Sequence, residues 1–398
     1  MLAAAAAALV SATATRADGD GTALFGLYPG ENNALLVLPG PTFAYNDNYL
    51  PAMVAWQGRD NDVINVYNQI NGAGGVQTTT GTYLPTIWNT YHSVPMISLN
   101  TNNWTNAQVA SGAADADIDA YADALRDNFV EGDGAPEGGR RVYIRLDWEM
   151  NGNFSPWEPP NSKNSHDCAS LLSAEQDYVA MWRHFHDEFM TEGGFDSTQV
   201  QWVYSIYYFD VLSPAETGCA NGASDVVANT YPGNDYVDWV GVDGYAYNEG
   251  PSGTPFDTPS SIFDPAFARL NAVTGGTKPL STNEVGVSTH GTGSPDQTVA
   301  NKAQWISDYF ADIESQGVKM ALWFSIDLGA TSFHNLAVFC KKNAGLADLY
   351  CNGDNTYASG GKTYNVYDEY KTGVDSSYFI SPDTSNPRLL TDAQFQGA

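Results

Sequence analysis

A (β/α)8 barrel with a loop-rich C-terminal extension is the fold that the sequence predicts, and three observations point to it. Eight short apolar runs follow one another between residues 23 and 327. Most are separated by segments whose apolar residues recur at helical spacing. Several of the runs end in acidic, Tyr or Trp residues, and the strand ends of a barrel are where its functional groups gather. At 398 residues the chain exceeds the roughly 250 of a minimal barrel, so large loops or an added tail are expected. A doubly wound open sheet is the alternative. It calls for a Gly-rich phosphate turn leading into a helix, and the run "GAGG" at 72–75 is not followed by a helical pattern.

The elements read as follows. "ALFGLYP" (23–29) is the first strand, "AMVAWQG" (52–58) the second and "VPMISLN" (94–100) the third. Ile118, Tyr121, Ala122, Leu125 and Phe129 then stripe a helix. "RVYIRLDWE" (141–149) is the fourth strand, followed by a helix carrying Tyr178, Trp182, Phe185 and Phe189 on one face. "VQWVYSIYY" (200–208), "YVDWVGVDGYAY" (236–247) and "KPLSTNEVGV" (278–287) are strands five to seven. Trp305, Tyr309, Phe310 and Ile313 mark the next helix, and "VKMALWFSID" (318–327) is the eighth strand. The βα rhythm stops near residue 338. The expected division is a barrel over 20–338 and an extension over 339–398, rich in Gly, Asn, Ser and Tyr, packed on it.

Composition narrows the function classes. Apolar residues make up 43%, which is ordinary globular usage and argues against disorder of the whole chain. The net charge of −29 repels phosphate backbones and anionic lipid surfaces, so neither nucleic acid nor membrane is expected as a partner. Aromatics reach 13%, with 10 Trp and 23 Tyr, which suits either sugar-stacking clefts or large cores. "LAAAAAALV" (2–10) is too short to span a bilayer and is followed by Ala12-Thr13-Ala14. Residues 1–17 therefore read as a secretory signal lacking its basic n-region, with an extracellular location and a monomer expected. Export permits disulfides. Of three possible pairings we expect Cys340 with Cys351, across a short loop, and Cys168 with Cys219. No Cys-x-x-Cys or Cys/His cluster is present, and neither a metal nor an organic cofactor is expected.

The chemistry is expected at the strand ends. Alternation along strand four places Arg145, Asp147 and Glu149 on one face, turned to the upper barrel, and Ile144, Leu146 and Trp148 on the other. Asn151-Gly152-Asn153 then turns the chain toward Trp157. Strand six ends in Asp243 and Tyr245, strand seven in Asn283-Glu284, and strand eight carries Trp323. Two Glu residues facing each other from strands four and seven fit a retaining glycosidase, whose carboxyl groups stand about 5–5.5 Å apart as acid/base and nucleophile. Plainer readings stand beside this: an Arg145–Asp147 ion pair, Asp243 as a helix cap, Trp157 as loop packing and Trp323 as core.

"RLDWEMNGNFSPW" resembles the acid/base segment of glycoside hydrolase family 26, whose members carry an Arg four places before the Glu of "HEMNG". "DWVGVDGYAY", "KPLSTNEVGV" and "ALWFSID" are similar to that family's sixth, seventh and eighth strands. The resemblance runs over roughly 23–330 and implies a (β/α)8 barrel that hydrolyses β-mannan, β-1,3-xylan or β-glucan by double displacement, without a cofactor. It implies Glu149 as acid/base and Glu284 as nucleophile. Arg145, Asp147, Asn151, Trp157, Asp243, Tyr245, Asn283 and Trp323 are the expected substrate-binding residues. One departure is that Trp148 stands where the family has His, which puts mannan specificity in question. A non-catalytic carbohydrate-binding barrel and a polysaccharide lyase are the competing readings. The first has no need of both Glu residues, and the second calls for cationic groups that this chain lacks at its strand ends, Arg145 apart.

Overall fold

A computed structural model describes residues 21, 23–29, 49–101, 103–161, 167–211, 219, 225–247, 257–289, 297–326, 335–341, 352–380 and 390–398. Eight parallel strands close into a barrel: β1 (Leu24–Tyr28), β2 (Val63–Gln69), β3 (Val94–Asn100), β4 (Val142–Leu146), β5 (Val200–Tyr207), β6 (Trp239–Ala246), β7 (Leu280–Val287) and β8 (Met320–Phe324). Each pairs with its sequence neighbour, and β1 closes on β8 with Leu27 opposite Trp323. Every residue of β6 and β7 is buried, as expected for parallel strands covered on both faces.

The helices owe their limits to their termini. Helix Cys168–Gly193 begins where the Asp167 side chain accepts from Ser170 N–H and ends at Gly194 in the left-handed region. Helices Pro259–Thr274 and Val299–Gln316 repeat the device, with Thr258 and Thr298 at their starts and Gly275 and Gly317 at their ends. The expected stripes are buried: Ile118, Tyr121, Ala122 and Leu125 in helix Asp115–Leu125, and Tyr178, Trp182, Phe185 and Phe189 in Cys168–Gly193. Trp182 and Phe185 pack edge-on against Trp202 of β5, filling the layer between barrel and helices.

The second strand corrects the sequence reading. Residues 52–58 form no strand; they lie in helix Leu50–Gln57, with Pro51 in its first turn and Gly58 at φ 85° at its end. A short apolar run does not distinguish strand from buried helix by periodicity, and the Pro and Gly boundary signals were decisive here. The true second strand, "VINVYNQ", carries buried Asn65, whose amide oxygen accepts from Ser98 Oγ at 2.9 Å. Its polar residues masked it because they face into the barrel.

After the barrel comes a three-stranded antiparallel sheet in the order β10–β11–β9, made of β9 (Phe339–Lys341), β10 (Asn355–Ser359) and β11 (Lys362–Val366). Helix Asp368–Val374 lies against helix Leu50–Gln57, where the Trp56 and Tyr370 rings stack 6.4 Å apart. The last helix, Asp392–Phe395, closes the lower end of the barrel. The Phe395 ring meets Tyr143 at 4.7 Å, and its carbonyl accepts from Tyr143 Oη and Trp239 Nε1. Cys168 and Cys219 are bridged as expected. The other expected bridge, Cys340–Cys351, has one end outside the described residues, and the whole 1–17 segment lies outside them. No helix of the described residues is long and apolar enough to cross a membrane.

Candidate active site

A continuous polar layer crosses the upper barrel, with Arg145 at its centre. The side chain is fully buried. Its Nε donates to Ser98 Oγ at 2.8 Å, and Nη1 donates to both Asp243 oxygens at 2.9 Å. Nη2 donates to the Tyr67 hydroxyl at 3.1 Å and to Glu284 Oε1. Asp243 also accepts from Ser205 Oγ at 3.0 Å, and Ser205 in turn accepts from Asn283 Nδ2 at 3.0 Å. One guanidinium thus ties strands β2, β3, β4, β6 and β7 together. A buried ion needs partners of this kind, because burying it bare is costly. The Arg145–Asp147 pair left open by the sequence does not form: Arg145 pairs with Asp243 and Glu284. Asp243 caps no helix.

The end of β4 departs from simple alternation. The strand stops at Leu146, and Asp147 and Glu149 take φ of 37° and 57°, a region costly for residues with a Cβ. Two side chains move from their expected places, while Glu149 keeps its own. Both Asp147 oxygens accept from Thr101, from its N–H at 3.0 Å and its hydroxyl at 2.8 Å, so this carboxyl anchors the end of β3. Burial raises it to about 7, with the Thr101 donors opposing. Trp148, expected outside, turns inward and lies over the Arg145 guanidinium at 5.0 Å. Glu149 N–H donates to Ser205 carbonyl at 2.8 Å, which sets the Glu149 side chain at the barrel mouth.

A second irregularity places the partner carboxylate. Between β6 and β7 the register slips by one residue, from Val242 opposite Thr282 to Asp243 opposite Glu284. This bulge lets consecutive Asn283 and Glu284 both reach inward. Gly241 makes room, since a Cβ there would stand 2.1 Å from Asn283 Nδ2. One oxygen each of Glu149, Asp243 and Glu284 lie within 4.8 Å of one another. The three carboxyls could hold a cation, but Arg145 already occupies their midst as the neutralising charge.

The two Glu residues have opposite surroundings. Glu284 Oε1 accepts from Arg145 and Tyr67, and Oε2 from the Tyr245 hydroxyl. Among the described residues no Arg or Lys bonds to Glu149. Burial, with the nearby charges of Asp243 and Glu284, holds the Glu149 carboxyl well above the usual Glu range, Arg145 only partly opposing. Burial likewise raises Asp243, with Arg145 pulling against it. Three carboxyls thus share one guanidinium, and burial disfavours the charged form of both Glu149 and Asp243.

Several expected contact residues are braces instead. Asn151 Nδ2 donates to the carbonyls of Tyr207 and Phe209, and its oxygen accepts from Tyr207 N–H at 2.8 Å. It ties the β4 loop to the end of β5. Trp157 packs on Trp148 at 5.0 Å and donates from Nε1 to the Trp148 carbonyl. Trp323 faces away from the mouth: it is 2% exposed, lies among Trp305, Tyr309 and Tyr370, and donates to the Leu336 carbonyl. Strand parity accounts for this, since Trp323 pairs with outward Val285 of β7. Its neighbour Phe324 takes the inward place, 5.0 Å from Tyr28 and 5.9 Å from Tyr245. Tyr67 and Phe324 are the site residues that sequence reading missed. Tyr67 lay in the unrecognised strand, and the parity of β8 would have found Phe324.

No family model matches the chain. Among characterised proteins it is similar to Endoglucanase H of Acetivibrio thermocellus, 26% identical over 235 residues. That match covers 58% of this chain but only 22% of the relative's length. Among solved structures, the catalytic domain of a Bacillus sp. GH26 endo-β-1,4-mannanase superposes with a TM-score of 0.55 at 15% identity, covering 93% of this chain and 90% of that one. A modular Cellulomonas fimi endo-β-1,4-mannanase, described as a glycoside hydrolase family 26 mannanase, gives 0.51 at 17% identity, with 93% and 73% covered. The fold is that of family 26 mannanases.

Proposed function

We propose that this chain is a divergent family 26 glycoside hydrolase: a secreted, retaining endo-β-glycanase acting on a neutral β-linked polysaccharide, with residues 20–338 as its catalytic barrel. One observation carries the reading. Two Glu carboxyls bring oxygens within 4.8 Å of each other at the barrel mouth, one held by Arg145 and two tyrosines, the other bonded to no Arg or Lys among the described residues. An oxygen–oxygen approach of this kind fits the roughly 5–5.5 Å carboxyl separation of retaining enzymes. The similarity to Endoglucanase H and the fold shared with mannanases support the same class of chemistry.

In the first step Glu284 attacks the anomeric carbon while protonated Glu149 gives its proton to the leaving oxygen. Glu149, now a carboxylate, takes a proton from the water that attacks the glycosyl ester and releases the sugar. Arg145 pairs with the attacking Glu284 carboxyl, and burial, which disfavours the charged form of Glu149, suits that group to donate a proton. A lectin needs neither arrangement. A lyase works on uronates and needs positive charge at the cleft, whereas this mouth is lined by carboxyls and rings. Trp148, lying over Arg145 where the family has His, favours a substrate other than mannan.

The test is a panel of soluble β-glucan, β-1,3-xylan and β-mannan. New reducing ends, retention of the anomeric configuration by NMR and a label on Glu284 from a 2-fluoro glycoside are expected. Inversion, an unsaturated product, or binding without cleavage on every member would overturn the reading.

A further inference from the structure

The donors on Glu284 are shared unequally. Among the described residues Oε2 accepts only from Tyr245, whereas Oε1 accepts from both Arg145 and the Tyr67 hydroxyl. The Tyr67 oxygen itself accepts from Arg145 Nη2 at 3.1 Å, so guanidinium, phenol and carboxylate form a closed triangle. The ring is fixed from three sides, by Tyr28 at 4.7 Å, Trp148 at 5.2 Å and Phe324 at 6.3 Å. A donor so held is aimed in advance at a single oxygen. The proposed double displacement, as set out above, gives it no task.

We propose that Tyr67 is a catalytic residue of the second half-reaction: with Arg145 it keeps Oε1 as the non-attacking oxygen and stabilises the Glu284 carboxylate as it is expelled from the glycosyl ester. The inference rests on the retaining reading. Oε2, with a single donor, has the freer lone pairs and makes the bond to the anomeric carbon. As that bond forms, the bond to the leaving group breaks and the Glu149 proton goes to the departing oxygen. Oε1 then passes from sharing a negative charge to being a neutral ester carbonyl, and the Tyr67 hydrogen bond weakens. In the second step water bonds to the anomeric carbon, its proton goes to Glu149, and the electron pair of the ester bond returns to Glu284. Charge grows again on Oε1, and the Tyr67 bond strengthens with it. A preorganised donor lowers the barrier of the step in which charge develops at its acceptor. Loss of the hydroxyl therefore slows ester breakdown and leaves ester formation unharmed, whereas a residue that only shapes the pocket acts on both steps.

Tyr67→Phe keeps the ring and its packing and removes only the hydroxyl. The probes are 2,4-dinitrophenyl β-cellobioside and β-mannobioside, whichever the wild-type protein turns over, because this leaving group makes the first step fast. The expected result is a fall in kcat of about tenfold or more, a matching fall in KM and a kcat/KM within about twofold of wild type. Intact mass should show a larger steady-state fraction of glycosyl-enzyme on Glu284. Tyr245→Phe removes the donor that aims Oε2 at the anomeric carbon, so misplacement of the attacking oxygen should lower kcat/KM instead. Equal falls in kcat and kcat/KM for Tyr67→Phe without added covalent enzyme would overturn the inference, as would identical patterns for the two variants. A wild-type protein that a 2-fluoro glycoside labels on Glu284 confines such a failure to Tyr67. One that never forms a covalent adduct refutes the retaining reading, and this inference with it.

Discussion

Arg145→Met is the substitution whose consequence the structure defines most closely. The variant keeps most of the side-chain volume and removes every hydrogen bond of the guanidinium: one to Ser98, two to Asp243, one to Tyr67 and one to Glu284. Asp243 is fully buried and Glu284 4% exposed, so both carboxyls lose the one cation that pairs with them among the described residues, where water does not replace it. Removing one partner of a buried ion pair costs about 3–5 kcal/mol. The loss should depend on pH. With the guanidinium gone, the Ser205 hydrogen bond is left to oppose burial at Asp243, and its pKa rises further above its unfolded value. Such a group adds full stability below the unfolded pKa, about 4, and loses it as pH rises through the folded pKa. The deficit should therefore be small near pH 4 and reach the full 3–5 kcal/mol near pH 8. Denaturant unfolding of wild type and variant at both pH values reads this directly. Arg145→Met/Asp243→Asn should recover part of the loss at pH 8. A variant within 1 kcal/mol of wild type at pH 8, or a deficit that does not change with pH, would refute the account of Arg145 as the charge that holds this layer together.

Other consequences follow from the same geometry. Glu149 has a folded pKa raised by burial, so its ionisation destabilises the fold as pH rises. Glu149→Gln should be more stable than wild type at pH 8, with the gain vanishing toward pH 4; denaturant midpoints that do not separate at pH 8 would count against a raised Glu149. The same variant should lose activity on polysaccharide by 10²–10⁴-fold while sparing substrates with activated leaving groups, and equal losses on both would remove Glu149 from the acid's role. Trp323→Leu should lower stability by a few kcal/mol and leave kcat/KM of the folded protein unchanged, whereas Phe324→Ala should impair activity; the reverse pattern would make Trp323 the substrate-facing ring. Opening the Cys168–Cys219 bridge, which closes 51 residues of chain, should cost roughly 4 kcal/mol in the chain-entropy model, and unfolding curves that coincide with and without reductant would exclude this.

The barrel was legible in the sequence because a buried parallel strand is an apolar run and a covering helix is an apolar stripe, and both patterns are local. "VPMISLN" is β3 to the residue, and the stripes through Tyr178 and Trp182 fall on buried helix faces. The strand ends carried enough chemistry to single out Glu149, Glu284, Arg145 and Tyr245 before any contact was known. Where a strand carried polar residues into the barrel interior, as β2 does with Asn65 and Tyr67, the local pattern failed, and a neighbouring helix took its place in the count. Alternation also misled where the backbone left regular geometry. Left-handed residues at Asp147 and Glu149 swung Trp148 inward, and the slip at Asp243 brought Asn283 and Glu284 to the same side. The parity that turned Trp323 outward and Phe324 inward follows from the register of β7 against β8. Register and bulges depend on pairs of segments far apart in the chain, so a single run of residues does not contain them. The sequence by itself determined which residue types stand at the mouth. Tertiary structure decided which of them share Arg145, and the reason is the one guanidinium: its hydrogen bonds reach four other strands, and only the closed barrel brings those strands within its span.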